Sequence, residues 1–182
     1  MENFLQLLKK NREIPIVGKG TKKQLEDNFY KLISKNFKVI EITLRSEASL
    51  EVAIFFKKKF PDLIIGLGSV ISFEQLVEVS KKNFNFYVSP GYTHKMLEFS
   101  FDKTFIYIPG VSNSNHIMEC LEYNIKLMKF FHAENNGGIK ALDTYKDIFR
   151  EVYFIPTGGI NNKNKESYLN LNNVLAVGAT SF

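Results

Sequence analysis

Short apolar segments alternate with longer amphipathic segments along the chain, and this alternation limits the fold more than any other feature of the sequence. The apolar segments predict eight β-strands, near 14–17, 39–44, 63–67, 86–88, 105–108, 127–131, 152–155 and 174–177. Helical spacing of apolar residues predicts α-helices between them, over 21–36, 50–60, 73–82, 93–99, 114–123, 139–149 and 163–169. A further amphipathic helix, 2–10, precedes the first strand.

The strand-helix pair recurs about every two dozen residues, which is the spacing of βα units. Eight such units close into a barrel, so we expect an α/β fold of the (β/α)8 TIM-barrel type. The alternative is a doubly wound open sheet, but such sheets normally have fewer strands and a longer glycine-rich loop than Gly18-Lys19-Gly20. Because the sequence ends at Phe182, directly after the eighth predicted strand, we expect the barrel to lack its C-terminal closing helix.

Length and composition fit a single domain over 1–182, since 182 residues of which 45% are hydrophobic can bury one core. The sequence contains neither an apolar run that could cross a bilayer nor a signal peptide, so we expect a cytoplasmic protein without a membrane partner. The net charge of +5 is spread over the predicted helices, which favours anionic small molecules over nucleic acid. Cys120 is the only cysteine and is expected to be a small buried packing residue.

A lysine stands in one of the most apolar predicted strands, Leu-Met-Lys-Phe-Phe at 127–131. Alternation along an extended chain puts Lys129 on one face together with Leu127 and Phe131. An ammonium among aromatic side chains loses hydration, which favours the neutral amine, and a neutral amine can attack a ketone to form a Schiff base. The alternatives are a strand-end lysine with its head in water and a lysine paired with a carboxylate.

The predicted strand at 39–44 carries polar side chains on the face that should point into the barrel. Glu41, Thr43 and Arg45 share that face, whereas the even-numbered residues are apolar and should meet the helices. Burying a carboxylate and a guanidinium inside a barrel costs free energy unless the two groups pair with each other or bind a ligand. The sequence therefore leaves two interpretations open, a ligand site and a buried structural pair of Glu41 with Arg45.

Glycine-rich turns follow several predicted strands, including 66–69, 89–91, 109–111, 156–159 and 178–180. In an α/β barrel the carboxyl ends of the strands form the active face, and the loops after strands seven and eight often hold phosphate. Gly158 and Gly159 supply open backbone N–H donors there, and Thr180 supplies a hydroxyl. This placement predicts a phosphate cradle.

Other kinds of catalytic site are not indicated. The three histidines, at 94, 116 and 132, have no metal-ligand spacing and no accompanying carboxylate cluster, so we predict a metal-independent site. Ser69 and Ser89 have no base at a recognisable spacing, which argues against a serine hydrolase.

With these residues assembled, the chain resembles the bacterial 2-keto-3-deoxy-6-phosphogluconate (KDPG) aldolases, which often act also on 4-hydroxy-2-oxoglutarate (KHG). The resemblance runs from about Ile14 to Thr180. Its strongest segments are 41–45 (EITLR), 66–70 (GLGSV), 89–91 (SPG), 108–110 (IPG), 129–131 (KFF), 133–134 (AE), 136–142 (NGGIKAL) and 156–160 (PTGGI). It implies a class I aldolase of Entner-Doudoroff carbohydrate metabolism on an (α/β)8 barrel, a homotrimer that needs no metal or other cofactor.

The resemblance also implies a role for each matching residue. Lys129 matches the lysine that forms the Schiff base with the pyruvyl group of the keto acid, and Glu41 matches the general acid/base. The substrate-binding positions are Arg45 and Ser69 for the carboxylate, Pro90 and Phe131 as walls, Thr157 as a polar contact, and Gly158, Gly159 and Thr180 for the phosphate.

The expected reaction is the cleavage of KDPG to pyruvate and glyceraldehyde 3-phosphate, together with cleavage of KHG to pyruvate and glyoxylate. Two features depart from the family pattern: His132 replaces the proline that usually follows the Lys-Phe-Phe run, and the family continues past the eighth strand into at least one helix. Loss of that helix would expose apolar surface at about 25 cal/mol per Å². The alternative function is therefore a truncated, catalytically impaired barrel that only binds a keto acid or sugar phosphate.

Overall fold

Parallel strands form the centre of the molecule. In the computed structural model, which describes residues 2–101 and 103–182, they are β1 (Glu13–Val17), β2 (Val39–Thr43), β3 (Ile64–Gly68), β4 (Phe86–Val88), β5 (Tyr107–Ile108), β6 (Gly110–Val111), β7 (Leu127–Phe131), β8 (Tyr153–Thr157) and β9 (Val177–Ala179). Every pair of neighbouring strands is parallel. Parallel neighbours require crossover connections, which the helices supply.

Helices separate most of these strands along the described chain. They are α1 (Glu2–Lys10), α2 (Lys22–Ser34), α3 (Ser49–Lys59), α4 (Phe73–Ser80), α5 (His94–Phe101), α6 (Ser114–Glu122), α7 (Gly138–Ile148) and α8 (Lys165–Leu169). A short 3-10 helix, Glu134–Asn136, follows β7. These helices match the predicted ones to within a few residues at each end. No helix among 2–101 and 103–182 is both long enough and apolar enough to span a bilayer.

The sheet forms a nearly closed barrel, which confirms the predicted (β/α)8 class over the open doubly wound alternative. Its strand order is β5-β4-β3-β2-β1-β9-β8-β7-β6, and the two strands at the ends of this order, β5 and β6, are separated in the chain only by Pro109. The Pro109 carbonyl accepts a hydrogen bond of 2.9 Å from the Lys129 backbone N–H, so it joins the ladder. The nine segments therefore correspond to the eight predicted strands, one of them broken in two.

Two predicted strand boundaries are wrong, and both have a local cause. The strand predicted at 105–108 is only β5, and the turn predicted at 109–111 contains β6, because proline has no N–H to donate to a ladder and interrupts it. The strand predicted at 174–177 begins only at Val177, apart from an isolated bridge at Val174. Leu175 and Ala176 are neighbours in sequence, yet both side chains lie among the apolar side chains inside the barrel. In a continuous strand neighbouring side chains point to opposite faces, so the chain cannot be a regular strand here.

The core has two layers, one inside the barrel and one between the barrel and its helices. In β2 and β7 the side chains alternate as predicted: Val39 and Leu127 lie in the inner cluster, whereas Ile40, Met128 and Phe130 lie in the outer one. All described side chains of β2 are buried. The period-two pattern therefore fixes which side chains of these two strands reach the interior.

Helix α1 lies against the interior of the barrel rather than in the outer layer. Its Phe4 and Leu8 are buried in the inner cluster, and the Phe4 ring lies 5.3 Å from the Phe86 ring between centroids. The outer helices follow the usual amphipathic pattern; for example, α2 starts at a capping box formed by Thr21 and Gln24. After β9, residues 180–182 are not helical.

Candidate active site

A cavity of about 430 Å³ lies at the carboxyl ends of the strands. Its lining comes from strands on opposite sides of the barrel, because the carboxyl ends of parallel strands all lie on the same face. All ten residues predicted for the site line it: Glu41, Arg45, Ser69, Pro90, Lys129, Phe131, Thr157, Gly158, Gly159 and Thr180.

Lys129 and Glu41 meet inside this cavity. The lysine Nζ lies 3.5 Å from Glu41 Oε1, and the two residues are only 7% and 4% exposed. The Nζ atom also lies 5.2 Å from the centroid of the Phe131 ring. The alternative of a lysine with its head in water is therefore wrong, and the carboxylate that pairs with the amine is the one predicted to move protons.

Gly68 provides the room that the Glu41 carboxylate occupies. A Cβ atom added at Gly68 would overlap this carboxylate and would lie 2.6 Å from its Cδ atom. β3 lies next to β2, with Thr43 paired to Gly68 and Glu41 paired to Gly66. A side chain at position 68 would therefore push the carboxylate away from its present position beside the amine.

Arg45 is held by Thr43 and does not pair with Glu41, so the structural Glu41/Arg45 pair considered above is wrong. The Arg45 Nε–H donates a hydrogen bond of 3.1 Å to Thr43 Oγ1, and the Thr43 hydroxyl donates to the Val17 carbonyl at 3.2 Å. This relay fixes the guanidinium at the edge of the cavity. Thr43 lines the cavity as well; sequence reasoning placed it on the inner face but did not include it among the site residues.

The turn after β8 has a backbone that favours glycine. Gly158 and Gly159 have φ angles of 97° and 81°, in the left-handed region that L side chains rarely adopt. A Cβ added at Gly159 would lie 2.9 Å from the Glu134 Cβ atom. The Glu134 carboxylate in turn accepts a hydrogen bond from the buried Tyr168 hydroxyl, and burial together with this bond raises the pKa of Tyr168. The 3-10 helix after β7 and helix α8 thus hold the turn.

Elsewhere the lining of the cavity combines small polar groups with close backbone packing. Ser69 lies directly after β3 with a φ angle of 57°, which is uncommon for a residue other than glycine. A Cβ added at Gly178 would lie 2.6 Å from Thr157 Oγ1, so this strand residue keeps space for the threonine hydroxyl. Close approaches of this kind are contacts between strands, and sequence spacing did not reveal them.

His132 lines the cavity although it was not among the predicted site residues. Its position directly after the Lys-Phe-Phe strand could have indicated this, because the residues at the carboxyl ends of the strands line the site. The peptide bond between Phe131 and His132 is cis. Among 2–101 and 103–182 no group of three or more His, Cys, Asp or Glu side chains is arranged to hold a metal ion.

Comparison with known proteins identifies the family. The model of the "KDPG and KHG aldolase" family matches residues 5–182. The chain belongs to the KDPG and KHG aldolase family. The KHG/KDPG aldolase of Escherichia coli (strain K12) is 38% identical over 149 residues, which cover 82% of this chain and 70% of that relative. A 2-dehydro-3-deoxy-phosphogluconate aldolase of Haemophilus influenzae is 32% identical over 180 residues, covering 97% of this chain and 85% of the relative.

Solved KDPG aldolases have the same fold. The Legionella pneumophila enzyme, with pyruvate captured at low pH as a covalent carbinolamine intermediate, superposes with a TM-score of 0.91 at 33% identity, over 97% of this chain and 85% of that one. The Zymomonas mobilis ZM4 aldolase with 3-phosphoglycerate superposes with a TM-score of 0.89 at 29% identity, over 97% and 84%. These members of the aldolase family lend no support to the alternative of an impaired barrel that only binds.

Proposed function

We propose that this protein is a class I aldolase that cleaves KDPG to pyruvate and glyceraldehyde 3-phosphate, with KHG as a second substrate, through a Schiff base on Lys129. The observation that carries the proposal is a buried amine 3.5 Å from a buried carboxylate in the cavity of a KDPG and KHG aldolase family member. The carbinolamine captured in the Legionella pneumophila relative supports a covalent pathway.

Binding places the two anionic ends of KDPG at opposite ends of the cavity. Arg45 and Ser69 hold the carboxylate next to the ketone, because a guanidinium and a hydroxyl donate to carboxylate oxygens. The N–H groups of Gly158 and Gly159 and the hydroxyl of Thr180 hold the phosphate. Pro90 and Phe131 form apolar walls, and Thr157 offers a hydroxyl to the polyol part of the substrate.

The covalent step begins with a proton transfer. Glu41 takes a proton from the Lys129 ammonium, and the free amine attacks the ketone carbon C2 to give a carbinolamine. Glu41 then returns the proton to the C2 hydroxyl, which leaves as water, and a protonated imine forms. The contact between the amine and Glu41 puts the carboxylate within reach of both proton transfers.

Carbon-carbon cleavage uses the imine as an electron sink. A base, for which Glu41 or a water bound to it is placed, removes the proton of the C4 hydroxyl. The C3–C4 bond breaks, its electron pair moves through C2 to the imine nitrogen, and glyceraldehyde 3-phosphate leaves an enamine of pyruvate behind. Protonation at C3 and hydrolysis of the imine release pyruvate and restore Lys129.

We propose further that the enzyme needs no metal or other cofactor, works in the cytoplasm and assembles as a homotrimer. Since the Schiff base itself provides the electron sink, the reaction should proceed at full rate in EDTA. Large exposed apolar side chains support assembly, among them Ile54, Phe55 and Ile71, the last 72% exposed, because a subunit interface would cover them. The mass of the particle in solution, from light scattering after gel filtration, tests the trimer.

The proposed activity is tested by incubating the protein with pyruvate and sodium borohydride and mapping the modified peptide by mass. We expect one reduced adduct, on Lys129, and none in Lys129→Met. Lys126→Met is the matched control, because Lys126 precedes the same strand but pairs with Glu151 at the surface. The absence of an adduct in well-folded wild-type protein would contradict the proposal.

A further inference from the structure

His132 lines the cavity but has no part in the chemistry proposed above. Its ring packs against the turn after β8: a Cβ added at Gly158 would lie 2.6 Å from the ring Cγ atom and 2.8 Å from Nδ1. The Nδ1 atom is buried and has no hydrogen-bond partner among the described residues. Histidines kept for structure normally satisfy a buried ring nitrogen, because leaving it unpaired costs free energy. The fold thus makes no use of the hydrogen-bonding capacity of this ring.

No charged side chain pairs with the ring within 2–101 and 103–182. The other charged residues that line the cavity are Lys129 on β7, Glu41 on β2 and Arg45 just after it, and the Glu134 side chain of the 3-10 helix packs against the turn after β8. Both carboxylates are occupied, Glu41 by the lysine and Glu134 by the Tyr168 hydroxyl. The ring is therefore available to a ligand in the cavity that it lines.

We propose that His132 determines substrate specificity by donating a hydrogen bond from Nε2 to the phosphate of the substrate, which favours phosphorylated keto acids over KHG. The inference rests on the proposed function, which places the phosphate at the Gly158–Gly159 turn that the ring touches. Nε2 is the donor because Nδ1 is buried against that turn. KHG is shorter and ends in a carboxylate at C5, so its distal anion lies closer to Lys129 than the phosphate of KDPG does.

The kinetic test compares wild type, His132→Asn and His94→Asn with both substrates. We expect His132→Asn to lower kcat/KM for KDPG about tenfold, mainly through KM, and to leave kcat/KM for KHG within about twofold. His94→Asn, an exposed position at the start of α5, should match wild type. An equal loss for both substrates, or a loss for KDPG in kcat rather than in KM, would overturn the proposal.

A second measurement separates this inference from the proposed function. The chain has three histidines, so His132→Asn assigns the ring signal of His132 in imidazole NMR spectra. In wild type at neutral pH, millimolar inorganic phosphate should shift that signal and leave the His94 signal in place; no shift overturns the inference. If Lys129 forms a pyruvate adduct and His132 does not respond to phosphate, only this inference fails. If the adduct is absent, the proposed function fails, and the phosphate titration still decides the His132 contact.

Discussion

The pair of Lys129 and Glu41 contributes little net stability for a contact so deeply buried. Desolvating two charges costs several kcal/mol each, and their attraction repays this only in part. Removing one partner would be worse, at about 3–5 kcal/mol, because the other charge would remain buried and unpaired. A pair of this kind is better explained by chemistry than by stability, which agrees with the proposed proton exchange between the two groups.

Gly68→Ala tests whether the position of the Glu41 carboxylate matters for the reaction. The added methyl group would overlap this carboxylate, which can rotate away, so the barrel should still fold while the distance from Glu41 to Lys129 increases. Since a misplacement of about 1 Å can cost about 100-fold in rate, we expect kcat for KDPG to fall by about that factor. Steady-state kinetics and circular dichroism measure the two effects.

Gly91→Ala is the matched control for this substitution. A Cβ at Gly91 meets nothing within 4 Å, and its φ lies outside the left-handed region, so the variant should keep wild-type kcat. A Gly68→Ala enzyme with undiminished kcat would show that the reaction tolerates a displaced carboxylate, and Glu41 would lose its proposed role.

At the scale of elements, α1 closes the end of the barrel opposite the cavity. The inner cluster that receives Phe4 and Leu8 also contains Ile14, Val39 and Leu127, which lie in or near the first halves of their strands. The amino ends of the strands are therefore covered by a helix, while the carboxyl ends remain open for the site.

Leu8→Ala measures how much the packing of α1 on the barrel contributes to the free energy of unfolding. Leu8 is fully buried, so truncating it leaves a cavity, and we expect a loss of about 2–5 kcal/mol in the free energy of unfolding. Urea denaturation followed by circular dichroism gives the value. Gln6→Ala, on the exposed side of the same helix, should change it by no more than about 0.5 kcal/mol. Equal effects of the two substitutions would mean that α1 does not pack on the barrel.

The break at Pro109 also belongs to the scale of elements. A Cβ added at Gly110 would lie 2.8 Å from the Gly91 backbone nitrogen and would overlap the Pro90 carbonyl, so the chain after β4 runs directly against β6. Proline therefore interrupts the hydrogen bonds, and glycine permits the close approach, at the point where the barrel closes.

For the molecule as a whole, Arg12 joins the first and last parts of the chain. Its guanidinium donates to the carbonyls of Leu169 at 2.6 Å and Val174 at 3.1 Å, next to the pairing of β1 with β9. From the pairing of β1 with β9, the parallel strand pairs continue in both directions around the barrel. Such a closed arrangement couples residues that are distant in sequence, so the barrel should respond to pH as one unit.

Buried hydroxyl and thiol groups predict that this unit loses stability at alkaline pH. Burial raises the pKa of Cys120 to about 12 and raises the pKa of Tyr107 and Tyr168 as well. Below the ordinary values, 9.0 for cysteine and 10.0 for tyrosine, both the folded and the unfolded chain keep these protons, and stability does not depend on these groups. Above them the unfolded chain releases protons that the folded chain retains, so stability falls as the pH rises.

The urea midpoint should therefore decrease steadily from about pH 9 to about pH 11. In the same range, ultraviolet absorbance should show that part of the eight tyrosines ionise only when the protein unfolds. Thiol reagents at pH 8 should modify Cys120 only in denaturant, because its thiol is buried. A constant midpoint up to pH 11 would mean that these groups ionise in the folded barrel.

The amino-acid sequence by itself determined the alternation of strands and helices, the barrel class, and the inward direction of Glu41, Thr43 and Lys129. These are consequences of local periodicity, because the backbone geometry of a strand fixes the side to which each residue points. Alternation and the placement of turns also indicated Arg45 and the cradle of Gly158, Gly159 and Thr180. The resemblance to the aldolase family supplied the other four site residues, and all ten predicted positions line one cavity.

Only the tertiary structure decided which of these groups meet. Glu41 and Lys129 are 88 residues apart, and Glu41 lies beside the lysine rather than beside Arg45, four residues away in sequence. The same is true of the His132 ring on Gly158 and of the space that Gly68 leaves for Glu41. Periodicity fixes the direction of a side chain, whereas the distance between strands remote in sequence follows from the closure of the barrel and the stagger of its strands.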